Sequence, residues 1–379
     1  MESANPTFQL PVINIAPYLG TQPASSAERD AVSKALHSAC MEYGFFYLDI
    51  SQYLDLTEPE ELTRLARDFF ALPQGEKDNI SLKHQDHARG YQRLKENVTN
   101  GKADNHEGID FYKPVENPDK SKPLWGENQW PRVPDFQNKY EQWIDKMKKL
   151  GMIVMEAQVP FLSHYSRMAH GLGMNAEQWN ELRAQVDDSF WVMRVIGYPP
   201  LPDDHDGFSC GAHKYRIIQV LRRDYGCLTL LHADPTRSAL QVFLRKHGHV
   251  VAAVDGLPDE HGGEEGFWIN ADPIPGCIVC NIGESVGRTD PISLVWEIWT
   301  NGLYKSTLHR VVHRGTNYRI PFFFEPNFTA NVKPLAPAIR LTAESAKAPE
   351  RVYEPVVYGN FLLNKVGHNF ATEGKGKYD

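Results

Sequence analysis

Beyond Asp188 the chain breaks into short runs rich in β-branched and aromatic residues: FWVMRVIGY, CLTLL, ALQVFL, GFWINA, CIVCNI, TLHRVV and PFFFEP. Many short strands separated by turns bury their apolar faces by packing against one another, which predicts a closed barrel or jelly roll. The fold class expected is therefore mainly β with flanking α.

The flanking helices lie upstream. Ser25 and Ser26 cap a helix whose apolar positions Val32, Leu36, Ala39 and Tyr43 recur at helical spacing, and Gly44 ends it. FFYLDI alternates like a strand. Pro59 to Phe70 gives a second helix through Leu62, Leu65, Ala66 and Phe69, stopped by Leu72-Pro73. The stretch from Ala88 to Pro134 is rich in Gly, Asn, Pro and charge and reads as long loops over the core. A longer helix starts near Phe136 and runs through Tyr140, Trp143, Met147 and Val154, with a kink at Pro160. VVYGNFLLNKVGHNF forms a final helix. The organisation expected is an N-terminal helical and loop region over 1–135, a long linking helix over 136–186, a β core over 187–330 and a C-terminal helix within 331–379 that packs on it.

Composition removes several classes of function. Lys and Arg total 40 against 48 Asp and Glu, and no basic block tracks a phosphate backbone, so nucleic acid is not an expected partner. No stretch is apolar for long enough to span a bilayer, and MESANPTFQLPVINIAPYLG lacks the pattern of a signal peptide. The five cysteines are few and odd in number, which fits reduced thiols in a cytoplasmic protein. Cys277 and Cys280 form one CxxC without a second pair and read as strand thiols, because a structural zinc needs four ligands.

Three segments carry chemistry: CGAH at Cys210 to His213, DYGCLTLL from Asp224, and YKSTLHRVVHRGTNYRIPFFFEPN from Tyr304. They hold histidines, a carboxylate and a following arginine, the parts of a mononuclear iron site that binds a keto acid and oxygen. Two histidines and one carboxylate on one face of Fe(II) leave the other face open for both. Strand periodicity does not choose between His309 and His313, which lie four residues apart. A literal His-x-Asp also occurs at His232-Ala-Asp234.

LPVINI, ACMEYGFFYL, FFALPQGEK, RGYQRLKENVTNGKADNHEGIDFY, GYPPLP, ADPIPGCIVCNIGE, WTNGLYKSTLHRVVHRG and PFFFEPNF stand in one order along most of the chain. In that order they resemble the fungal branch of the iron and 2-oxoglutarate dependent oxygenases, in the group that includes isopenicillin N synthase. The resemblance implies a double-stranded β-helix (jelly roll) core buttressed by N-terminal helices. It implies His213, Asp224 and His309 as Fe(II) ligands, with 2-oxoglutarate and O2 as co-substrates and a small molecule as substrate. Arg319, ten residues after His309, matches the arginine that pairs with the distal carboxylate of 2-oxoglutarate, and Tyr198 in GYPPLP matches a tyrosine that contacts the keto acid. A guanidinium makes two parallel charge-assisted hydrogen bonds to a carboxylate, which lysine does not reproduce.

The chain departs from the pattern in four places. Lys214 to Arg223 stand where one residue would join His213 to Asp224, and Ser285 to Val295 interrupt NIGE and WEIWTNG. Arg319-Ile320-Pro321 replaces Arg-x-Ser, and Ile196 stands where relatives carry asparagine. The leading expectation is a 2-oxoglutarate dependent dioxygenase that hydroxylates a small metabolite and releases succinate and CO2. An iron oxidase without 2-oxoglutarate and an impaired binding protein of the same fold are the alternatives. Residues Arg89 to Tyr112 either line the substrate entrance or pack their loop on the barrel.

Overall fold

The computed structural model describes residues 8–20, 23–96, 98–99, 102–158, 172–201, 207–213, 227–245, 266–283, 295–304, 307–344 and 352–370. The N-terminal half supplies β1 (Val12–Asn14), α1 (Ser26–Glu42), β2 (Phe45–Asp49), α2 (Thr57–Phe70), α3 (Gln74–Asp78), β3 (Gly90–Gln92), β4 (Val98–Thr99), β5 (Lys102–Ala103), β6 (Glu107–Tyr112), α4 (Phe136–Ala157) and α5 (Ala176–Arg183). The β-rich half follows with β7 (Val192–Tyr198), β8 (Phe208–His213), β9 (Leu228–Ala233), β10 (Leu240–Arg245), β11 (Gly266–Asn270), β12 (Cys277–Ile282), α6 (Val295–Trp299), β13 (His309–Val312) and β14 (Asn317–Phe324). The chain closes through β15 (Asn331–Val332), α7 (Ala336–Glu344), β16 (Val356–Val357) and α8 (Tyr358–Phe370).

Two sheets form the core. The larger has eight strands in the order β1-β2-β12-β9-β14-β7-β6-β3, and the smaller runs β11-β10-β13-β8. Period-two alternation gives the larger sheet two faces. From β14, Ile320, Phe322 and Phe324 enter a core with Leu62 and Phe69 of α2 and Met147, Leu150 and Val154 of α4. From the other face, Leu231, Val279, Phe45 and Tyr47 meet Leu240, Val242, Leu244 and Ile269 across the gap between the sheets. The jelly-roll expectation holds, with helices covering one side only.

The helices form for the reasons their sequences suggest. Ser25 caps α1 in a capping box with Glu28, and Gly44 takes φ +65 just past its end. Leu62, Leu65, Ala66 and Phe69 are the buried stripe of α2, which begins two residues before Pro59, a position the first helical turn tolerates. Gly151 lets α4 lie against β14, where a Cβ would fall 2.3 Å from the Phe324 ring.

Two expectations need correction. The stretch from Ala88 to Pro134 is not only loop, because β6 pairs with β7 along Glu107–Tyr112 and β3 pairs with β6, widening the larger sheet. Both faces of β6 are buried, so Asp110 sits inside the protein where a polar residue reads as loop. The long linking helix over 136–186 is divided: α4 ends at Ala157 and α5 is a separate helix with its own Asn175 cap. The expected kink at Pro160 lies outside the described residues. At the far end, the Tyr358 hydroxyl donates to Glu325 at 2.6 Å and Phe361 and Leu362 enter the helix-side core, so α8 is packed on the barrel. No described helix is long and apolar enough to cross a membrane.

Candidate active site

His309 opens β13 opposite Val242, whose side chain lies between the sheets. Its ring is buried and meets Phe45 edge-on with centroids 5.3 Å apart. The His309 Nδ1 lies 3.3 Å from the Thr307 carbonyl oxygen. A proton on Nδ1 donates to that carbonyl and leaves Nε2 with a lone pair, the tautomer a metal-binding imidazole requires. On its other side His309 registers with His213 at the end of β8. The β8 ladder shifts register between His309 and Val312, a bulge of the kind that re-aims residues at sheet edges. Asp224 lies outside the described residues, and no three His, Cys, Asp or Glu side chains gather as a metal site among those described.

The two rival histidines are engaged elsewhere. The His313 Nδ1 lies 3.0 Å from the Ser209 hydroxyl, and its backbone N–H donates to Gly207. His232 pairs with Ile320, a residue of the helix-side core, and its Nε2 lies 3.0 Å from the Thr63 hydroxyl on α2. Its ring stands edge-on to Trp143 of α4, and burial pushes its pKa down to about 4. Asp234 accepts backbone N–H bonds from Thr236 at 3.1 Å and from Tyr318 at 2.9 Å, which fixes the turn after β9.

Arg319 registers with Ala233 on β9 and Ile196 on β7. Its position on β14 is out of phase with Ile320 and Phe322, so it belongs to the face between the sheets. It is 5% exposed, its guanidinium lies 5.6 Å from the Tyr198 ring centroid, and no carboxylate pairs with it among the described residues. A buried guanidinium without a counter-charge carries a desolvation cost of several kcal/mol, so a bound carboxylate is the partner this position fits. Pro321 registers with Leu231 of the inter-sheet cluster, so the position without the hydroxyl lies on Arg319's own face. The ladder between β14 and β7 also skips Ile320 and Pro321, as a proline without an N–H favours.

Sequence reasoning passed over a second group of buried polar residues beside Tyr198: His106, Asp110 and Arg194. The His106 ring meets Tyr198 edge-on at 5.7 Å, and Arg194 Nε lies 2.8 Å from Asp110 Oδ1. That contact is a buried ion pair. Burial, with Arg194's charge added, pushes His106 down to about 3, so the ring is neutral at physiological pH. Burial raises the Asp110 carboxyl against the lowering pull of Arg194. The available signal was one charged residue inside each of two apolar runs, Asp110 in GIDFY and Arg194 in VMRVIG, opposite charges that a buried pair of strands brings together.

A two-sheet jelly roll with His309 registered against His213 at one strand end, and a buried arginine at the third position of β14 without a carboxylate partner among the described residues, is the arrangement expected of a mononuclear iron oxygenase that uses a keto acid. The family comparisons agree over most of the chain. Residues 188–326 match the 2OG-Fe(II) oxygenase superfamily, and residues 10–133 match the non-haem dioxygenase in morphine synthesis N-terminal family. The chain belongs to the 2OG-Fe(II) oxygenase superfamily, and is a 2-oxoglutarate-dependent dioxygenase using Fe(II), 2-oxoglutarate and O2 on a small organic substrate. A homoarginine-6-hydroxylase of Oryza sativa subsp. japonica is 35% identical over 376 residues, covering 96% of this chain and 98% of the relative. A 2-oxoglutarate-dependent dioxygenase of Aspergillus niger is 27% identical over 336 residues, covering 87% and 88%. Of these two the plant enzyme is the more similar, where the motifs resemble a fungal branch. Among solved structures, a full-length Neurospora crassa protein in complex with alpha-KG superposes with a TM-score of 0.69 at 22% identity, covering 97% of this chain and 98% of that one.

Proposed function

We propose that His213, Asp224 and His309 hold Fe(II), that Arg319 fixes the distal carboxylate of 2-oxoglutarate, and that the substrate hydroxylated is a free basic amino acid. The observation that carries this reading is Arg319, buried between the sheets without a carboxylate partner among the described residues. The homoarginine-6-hydroxylases of Oryza sativa and Glycine max, 35% and 33% identical, support the substrate class. The free cysteines Cys40, Cys227, Cys277 and Cys280 support a reducing compartment such as the cytoplasm.

Fe(II) with 2-oxoglutarate supplies the activation of O2 and the oxidation of a C–H bond, with release of succinate and CO2. The chain's own residues do the positioning. Thr307 holds the His309 ring in one tautomer, and Phe45 packs against its edge, so the nitrogen donor does not wander. Arg319 and the Tyr198 ring beneath it set where the keto acid's far end sits. Leu231, Val242 and Val279 make the surrounding wall apolar, which excludes water from the oxidising centre.

Arg319→Leu tests the reading. It removes a carboxylate clamp without touching a proposed metal ligand, so 2-oxoglutarate binding falls at least tenfold while anaerobic Fe(II) binding is retained. Unchanged 2-oxoglutarate affinity overturns the assignment and favours an oxidase that does not use the keto acid, for which Pro321 in place of a serine is the supporting residue.

A further inference from the structure

The register carries Arg319's face across three more strands. Ile196 lies opposite Arg319, Gly108 opposite Ile196, Asp110 opposite Arg194, and Gln92 opposite Gly108. The alternate residues Val195, Ile109 and Tyr91 belong to the helix-side core. Arg194, Asp110 and Gln92 therefore share the sheet face of Arg319. His106 adjoins them through its contact with Tyr198, whose ring also lies under Arg319.

All of these side chains are buried: His106 is 5% exposed, Arg194 8%, Gln92 7% and Asp110 4%. Outside the Arg194–Asp110 ion pair, four atoms of His106, Arg194 and Gln92 have no hydrogen-bond partner among the described residues: both ring nitrogens of His106, Arg194 Nη2 and Gln92 Oε1. Buried polar atoms are normally satisfied, and each one left open costs about 1–3 kcal/mol. A cluster that leaves several open on one face is built for a ligand. Gly108 contributes no side chain between Ile196 and Gln92 on this face.

The open atoms define that ligand's chemistry. A neutral imidazole offers one donor and one acceptor, Arg194 adds a donor, and Gln92 adds an acceptor. The Arg194–Asp110 pair carries no net charge, so the complement is a group with no net charge that both accepts and donates. A bare anion leaves Gln92 unmet, and a bare cation meets Arg194. We propose that Arg194, His106 and Gln92 form the subsite that holds the zwitterionic head of an α-amino acid, with the carboxylate on Arg194 Nη2 and the His106 N–H and the ammonium toward Gln92 Oε1. The subsite sits beside the Tyr198 ring, so the head is held next to the keto acid position and the side chain of the amino acid extends along the gap between the sheets. The assignment rests on the function proposed above and names residues for its substrate.

Anaerobic calorimetry on the Fe(II) and 2-oxoglutarate loaded enzyme tests it, with L-homoarginine, its methyl ester and its Nα-acetyl form as probes. L-homoarginine binds, and each blocked form binds at least tenfold more weakly. His106→Phe, which keeps an aromatic ring beside Tyr198 but removes both ring nitrogens, weakens L-homoarginine at least tenfold and leaves 2-oxoglutarate affinity unchanged; Arg194→Gln weakens it further. Equal binding of the three probes, wild-type affinity in His106→Phe, or absence of amino acid binding to an enzyme that binds 2-oxoglutarate each overturns the subsite. Amino acid binding that persists in a protein with no affinity for 2-oxoglutarate keeps the subsite and overturns the keto acid reading instead.

Discussion

At the scale of single residues, hydrogen-bond partners separate histidines that spacing leaves equivalent. His309 and His313 share a strand phase in the sequence, yet one packs on Phe45 between the sheets and the other bonds Ser209. His309→Ala is expected to abolish Fe(II) binding, and His313→Ala to lose one hydrogen bond, about 1 kcal/mol of stability, with iron retained. Iron stoichiometry after anaerobic loading reads the difference, and equal loss in both variants defeats the assignment. His232 supplies a prediction in pH. Its ring titrates near 6.5 when unfolded and near 4 when folded, so between those values unfolding takes up a proton and stability falls as pH drops. The loss reaches about 3 kcal/mol at pH 4. Denaturant midpoints of wild type and His232→Gln from pH 7 to 4.5 check it: the variant's curve is shallower, and parallel curves refute the buried neutral ring. The literal His232-Ala-Asp234 motif was legible as a possible ligand pair. What the string does not carry is that Thr63 and Trp143, far away in sequence, occupy that ring.

At the scale of elements, apolar periodicity located the helices and the β-rich runs well, because an amphipathic stripe is a local property. It located β6 poorly, since a strand buried on both faces with Asp110 on one of them shows no solvent side. The segment Lys214 to Arg223 follows the end of β8 and lies outside the described residues. Its replacement by one threonine puts the proposed ligands His213 and Asp224 two positions apart on one strand, where side chains share a face. Iron affinity is expected to be kept or raised in that variant. Asp224→Ala is expected to remove iron in either background, whereas Asp234→Ala loses the bonds to Thr236 and Tyr318 and retains it. Iron that survives Asp224→Ala and disappears with Asp234→Ala reverses the assignment.

At the scale of the whole molecule, the eight-stranded sheet belongs to two interiors at once. One face is the floor of the helix-side core, and the other is a wall of the gap that holds Arg319 and the polar group around Arg194. The N-terminal helices are therefore part of the catalytic domain's own packing and not an appendage to it. Neighbouring positions along β14 consequently face different selection pressures. In a saturation mutagenesis library scored for both protein abundance and turnover, polar substitutions at Ile320, Phe322 and Phe324 deplete the protein itself, while those at Arg319 leave it abundant and silent. The two scores would trade places at every step along the strand, a two-residue beat of tolerance that marks which variants are repairable by a stabilising background and which are not.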